Sequence, residues 1–113
     1  MGNIPLRAAV KNLAENLARF RHYHGIQEAV FAASLRLPLS TYRLTVGNSN
    51  GGRGHTYKPQ YDTLRQIVRS KLLPLEIRRS AKLVIVYERL FSLGKTLTVE
   101  CLPVWHPRLA DAH

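Results

Sequence analysis

GIQEAVFAASLRLPLSTYRLTV, residues Gly25 to Val46, holds two short helical patterns with almost nothing between them. Val30, Phe31, Ala32 and Leu35 recur at helical spacing, so IQEAVFAASLRL reads as one helix. Pro38 cannot sit inside a helix, because it lacks an N–H and its ring clashes with the preceding turn, but it can begin one. A further helix therefore starts at Pro38 and carries LSTYRLTV, after a tight turn around Arg36 and Leu37.

The sequence on either side supports a helical body. Upstream, Leu6, Val10, Leu13, Leu17 and Phe20 follow one another at spacings of three and four and form an apolar stripe. Asn3 suits the cap of this helix, Pro5 its first turn, and Gly25 its left-handed stop. Lys11, Asn12, Glu15, Asn16 and Arg19 are expected on the wet side. Downstream, GNSNGGRGH tolerates no regular element. Helix resumes in KPQYDTLRQIVRSKLL, opened by Pro59 and stopped by Pro74, with Tyr61, Leu64, Ile67 and Val68 as its stripe. PLEIRRSAKL begins another short helical turn. Beyond it the signals conflict: AKLVIVYERLFSLG fits a helix, while LVIVY is β-branched and aromatic and favours a strand. KTLTVECLPVW alternates Leu97, Val99 and Cys101 against Thr98 and Glu100, which reads as a strand.

Charge bounds the partners. Lys and Arg number 17 against 7 Asp and Glu, a formal net charge of +10. The excess lies almost entirely in residues 1–79, with 13 basic and 4 acidic side chains, whereas residues 80–113 hold 4 and 3. A field of that sign concentrates polyanions, so nucleic acid, an anionic membrane or an acidic protein is the expected partner class.

Two tightly joined helices after a longer amphipathic one form a helix-turn-helix pattern, in which one helix braces across a phosphate backbone and the next enters a major groove. Spacing alone fits any small bundle with short turns. The residues AENLARFRHYHGIQEAVFAASLRLPLSTYR, followed by KPQYDTLRQIVRSKL, resemble the phage-repressor and Cro type of helix-turn-helix domain. Arg19, Arg21, Gly25, Ile26, Ala32, Leu35, Leu37, Thr41, Tyr42, Pro59, Thr63, Leu64 and Ile67 carry the resemblance, over about residues 10–78. The chain departs from that family with Arg36 where glycine is usual, Val46 near an acidic position, and a longer connector before Pro59.

The resemblance implies that Leu39, Ser40 and Arg43 face the major groove, with Thr41 supporting them or reaching a phosphate. Arg43 is the expected base reader, since a guanidinium bonds bidentately to guanine O6 and N7. Gln27 suits a phosphate, and Tyr42 corresponds to a packing position. Arg53, Lys58, Arg65 and Arg69 cluster on either side of the glycine tract, which with Arg53, His55 and Lys58 in it reads as a wing reaching phosphates or an adjacent minor groove, or else as a passive insertion.

Other chemistries find little footing. His22 and His24 are one residue apart and fall on different helical faces, Cys101 is alone, and no zinc spacing occurs, so no metal or cofactor is expected. No nucleophile with its base and no phosphate-binding Gly-Lys-Ser/Thr ending is present, so the chain does not read as an enzyme. No apolar run is long enough to span a bilayer and the N-terminus lacks a signal-peptide pattern, which makes a cytoplasmic, DNA-associated protein the expectation.

The expected architecture is mainly α: four to five helices over residues 1–79, with a long loop at 47–58, then an extension over 80–113 containing one or two β-strands. The extension, through Val84, Val86, Leu97, Val99, Cys101, Val104 and Trp105, is the expected dimerisation element or, alternatively, a lid on the helical core. The expected function is a sequence-specific transcriptional regulator, a repressor of phage, plasmid or bacterial type, binding an inverted repeat of double-stranded DNA as a homodimer. RNA or general nucleic-acid binding, or a protein-interaction module of antirepressor or antitoxin type on the same fold, are the alternatives.

Overall fold

Leu6, Ala9, Val10, Leu13, Leu17 and Phe20 are all buried along the first helix, α1 (Ile4–Tyr23), and the other helices assemble on that stripe. The computed structural model describes residues 4–50, 57–95 and 101–107. In chain order α1 is followed by α2 (Glu28–Ser34), α3 (Leu39–Val46), a 3-10 turn (Gly47–Asn50), α4 (Tyr61–Arg69) and α5 (Leu75–Ser92). α1 packs against α3 and α5, α2 against α3, and α4 against α5. Phe31 of α2, Tyr42 of α3, Leu64 and Ile67 of α4, and Ile77, Ala81 and Val84 of α5 complete one core with the α1 stripe.

The connections follow from local chemistry. At the end of α1 the Gly25 N–H donates to His22 O and the Ile26 N–H to Arg21 O, both at 3.1 Å. Gly25 sits at φ 63°, the left-handed conformation that this cap demands and that glycine adopts without a Cβ penalty. Between α2 and α3 the same cap recurs: Arg36 N–H donates to Ala33 O and Leu37 N–H to Ala32 O, both at 2.9 Å. Here the left-handed residue is Arg36, at φ 60°. Pro38 precedes α3 as its cap residue, and Pro74 does the same for α5. α4 begins at Tyr61, two residues past Pro59, and Thr63 takes the buried position expected of Tyr61, which is exposed.

The conflict over residues 75–93 resolves as helix. PLEIRRSAKL and AKLVIVYERLFS belong to one 18-residue element, α5, rather than to a short turn and a strand. Ile77, Ser80, Ala81, Val84 and Tyr87 lie at spacings of three and four and are all buried, so a long helical stripe outweighs the strand preference of LVIVY. Among the described residues no strand forms, and residues 101–106 have no regular structure. Leu97 and Val99 lie outside the described residues. The expected boundary at residue 79 falls inside α5, whose buried face runs unbroken across it, so no domain division occurs there.

Residues 101–107 cross α1 on the side expected to be wet. Asn16 is fully buried beneath them: its Oδ1 accepts from the Trp105 N–H at 3.0 Å and its Nδ2 donates to Pro103 O at 3.0 Å. Asn12 Nδ2 donates to the same carbonyl at 3.0 Å, and Arg19 Nη1 donates to Trp105 O at 3.2 Å. Trp105 is buried edge-on against Phe20, with ring centroids 5.2 Å apart. Phe20 continues to Phe31 at 5.8 Å and Phe31 to Tyr42 at 5.6 Å, so aromatic rings run from the C-terminal strap through α1 and α2 to α3. Asn12 and Asn16 are thus interior residues, because the strap offers unpaired backbone groups that only polar side chains can satisfy.

The strap also corrects the dimerisation set. Val84 has no exposed surface and Trp105 almost none, so both are spent within the chain. Val86 and Val104, each 39% exposed, and the exposed Cys101 remain on the outside, Val86 and Cys101 beside Leu83, Leu102 and Pro103.

Asn16→Ala leaves the Trp105 N–H without its buried acceptor and should destabilise the fold by about 1–3 kcal/mol. Trp105 is the only tryptophan, so its fluorescence reports the strap directly: the variant should show a lower denaturant midpoint and red-shifted native emission. Unshifted emission at full stability would show that Asn16 does not hold the strap.

Candidate nucleic-acid interface

α3 is fixed from beneath by Tyr42 and Thr45, both fully buried. Tyr42 meets Phe31 edge-on, and Thr45 Oγ1 donates to Thr41 O at 2.9 Å, turning its hydroxyl back onto the helix. With 42 and 45 inward, helical geometry sends 40, 43, 44 and 47 outward. Ser40, Arg43, Leu44 and Gly47 are accordingly exposed, and Thr41 is half-buried. Leu39 was expected on this face, but it packs against the core. Leu44, 52% exposed, presents the apolar side chain there instead. The signal for Leu44 was in the sequence, since 40, 43, 44 and 47 complete one face opposite Tyr42 and Thr45.

Arg43 does not project unsupported. Its Nε donates to Glu28 Oε1 at 3.3 Å, a bond between α3 and the start of α2. An exposed pair of this kind contributes little stability, but it restricts where the guanidinium points. Because the bond uses Nε, the two Nη groups stay available to a further acceptor. Glu28 was not singled out as a functional residue, and nothing in one sequence pairs it with a residue fifteen positions away. Gln27 stands at the cap position of α2, exposed, and its side chain makes no capping bond, so the amide is not consumed there.

The basic flank is only partly assembled. Arg65 lies over the Tyr61 ring at 5.5 Å. Lys58 pairs with Glu88 of α5 at 2.6 Å, so its charge is offset by a neighbour rather than offered to the α3 face. Arg53 and His55 lie outside the described residues. The chain at either end of the glycine tract is held by Asn48, a buried residue that sequence patterning gave no reason to select. Its Nδ2 donates to Thr45 O at 3.2 Å and Tyr57 O at 2.7 Å, and its Oδ1 accepts from the Tyr57 N–H at 2.9 Å.

One buried polar group lies directly beneath the face. The Tyr42 hydroxyl is enclosed beside the Arg21 guanidinium, close enough for an interaction of hydrogen-bond type, but neither that hydroxyl nor Arg21 Nε has a partner in well-formed hydrogen-bond geometry. Burial raises the Tyr42 pKa above the ordinary tyrosine value of 10.0, and the nearby Arg21 charge opposes that only in part. Among the described residues no cluster of three His, Cys, Asp or Glu side chains is placed to hold a metal. His22 and His24 are exposed, and His24 lies against Phe20 and Tyr23 at 4.4 and 5.0 Å. No helix among the described residues is long and apolar enough to cross a membrane.

Comparison with protein-family models, with curated proteins and with solved structures gives no match to this chain.

The raised Tyr42 pKa has a pH consequence. A group whose folded pKa lies above its unfolded value stabilises fully below the unfolded value and loses that contribution as pH rises through the folded one. Wild type should therefore lose stability above about pH 10 relative to Tyr42→Phe, with the two nearly equal at pH 7. Paired denaturant titrations at both pH values check this; a constant difference would contradict it. Asn48→Asp should cost about 1–3 kcal/mol by the same measurement, because its carboxylate then faces the Thr45 and Tyr57 carbonyls.

Proposed function

We propose that this protein is a sequence-specific DNA-binding transcriptional regulator that inserts α3 into a major groove. The observation that carries the reading is the outward face of α3, where an exposed Ser40, Arg43 and Leu44 stand beside an uncommitted Gln27 amide at the head of α2. These side chains suit base edges: the Arg43 Nη pair suits guanine O6 and N7, and the Leu44 methyls suit a thymine methyl. Gln27 donates to a phosphate, as does Arg65 in the second turn of α4. The formal charge of +10 supplies the sequence-independent attraction.

A homodimer on an inverted repeat, with half-site centres about 34 Å apart, completes the proposal. Among the described residues, Val86, Cys101 and Val104 are the members of the expected dimer set left on the outside. Repression is the expected mode for an operator overlapping a promoter. The charge by itself supports sequence-independent nucleic-acid binding equally well, and Arg43 separates the two readings.

Selection of bound duplexes from a random pool should recover a dyad-symmetric site containing guanine, with affinity falling steeply as salt rises. Arg43→Ala should reduce discrimination at one base pair per half-site by about 1–3 kcal/mol, while its affinity for unrelated duplex falls only slightly. Equal binding of selected and scrambled duplexes by wild type would defeat the reading.

A further inference from the structure

At the opposite end of α2 from Gln27, the α2–α3 turn and the end of α4 enclose a cleft of 440 Å³. Arg36, Arg69 and Lys71 line it together with Ser34, Gln66 and Ser70. Among the described residues no carboxylate lines the cleft, and none of the three cations enters an ion pair. Three like charges about one opening repel one another unless an anion enters.

Cations at helix C-termini ordinarily answer unsatisfied carbonyls, and here several of those carbonyls already have partners. The Ala32 and Ala33 carbonyls of α2 accept from the Leu37 and Arg36 backbone N–H groups. The Ile67 carbonyl of α4 accepts from the Ser70 N–H, and the Val68 carbonyl from Arg78 Nε at 3.0 Å. The guanidinium of Arg36 is thus surplus to the helix ends. Arg36 also occupies a left-handed position at φ 60°, where the equivalent caps of α1 and α5 use Gly25 and Gly94 at φ 63° and 72°. A non-glycine residue there strains the backbone, and such strain concentrates where a side chain has work to do.

We infer that this cleft is a phosphate-binding site, with Arg36, Arg69 and Lys71 as its charged donors and Ser70 and Gln66 as neutral ones. The ligand carries at least two negative charges in a small volume, as a diphosphate does. A free phosphorylated small molecule and the backbone of a nucleic acid both offer that chemistry. The site stands apart from the α3 face, so either assignment can fail without the other.

Titration of the full chain with inorganic pyrophosphate, followed by backbone amide NMR, tests the inference. Saturable shifts confined to residues 34–37 and 66–72 are expected. Arg36→Gly should weaken the binding at least tenfold while thermal stability stays equal or rises, because glycine relieves the left-handed strain. Lys71→Ala should also weaken it, with the amide spectrum elsewhere unchanged. Competition by ATP without competition by a short single-stranded oligonucleotide identifies a small-molecule source; the reverse identifies a nucleic-acid backbone. Shifts that spread over all basic surfaces without saturating, or an Arg36→Gly protein that binds pyrophosphate as wild type does, would overturn the inference.

Discussion

The placement of the C-terminal strap, and with it the completion of the core, depends on the side-chain amide of Asn16. That amide has no exposed surface and offers a donor and an acceptor side by side. An extended segment presents the matching pair, the carbonyl of Pro103 and the N–H of Trp105. Without that partner, the Asn16 Nδ2 would lose its acceptor and its Oδ1 would keep only the Arg19 guanidinium, and the strap would lack these bonds to α1. The exchange also fixes register: shifting the strap by one residue would present the wrong backbone groups, and the Trp105 ring would leave its place against Phe20. Because Phe20, Phe31 and Tyr42 touch in series, the strap, α1, α2 and α3 share one packed aromatic row.

Much of the helical layout was legible because it rests on periodicity and on residues with one backbone preference. The α1 stripe, the break at Gly25, the tight α2–α3 turn and Pro38 at the head of α3 each follow from local chemistry. What remained illegible depends on partners far along the chain. Asn12 and Asn16 read as solvent-facing because asparagine usually is, and their carbonyl partner lies 91 and 87 residues away. The segment LVIVY reads as a strand by composition, yet its outcome was decided by a buried face beginning at Ile77 and shared with α1 and α4. On the candidate site, Ser40 and Arg43 came with the resemblance, and Leu44 was open to helical geometry. The Glu28 brace on Arg43, the capture of Lys58 by Glu88 and the inward packing of Leu39 were not, since each reflects how separate elements meet.

The charges sort into two kinds once the fold is known. Arg43 and Lys58 answer carboxylates, and Arg19, Arg21 and Arg78 answer main-chain carbonyls, so these side chains serve the structure as well as its surface potential. Among the described residues Arg36, Arg69 and Lys71 meet neither kind of partner. Part of the positive charge that the composition counts is therefore answered within the chain.

Asn48 performs for the glycine tract what Asn16 performs for the strap, since one amide joins the backbone of Thr45 to that of Tyr57. The described chain on either side of the tract is thus fixed at Thr45 and Asn48 before it and at Tyr57 after it. Between two fixed ends, doubling the length of a connecting loop costs only about 0.6 kcal/mol in closure entropy. Residues can thus be added or removed between these ends at small thermodynamic cost, while α3 and α4 keep their relation. The tract is a graft point, where a lineage can vary the reach and chemistry of a surface segment without renegotiating the bundle that carries it.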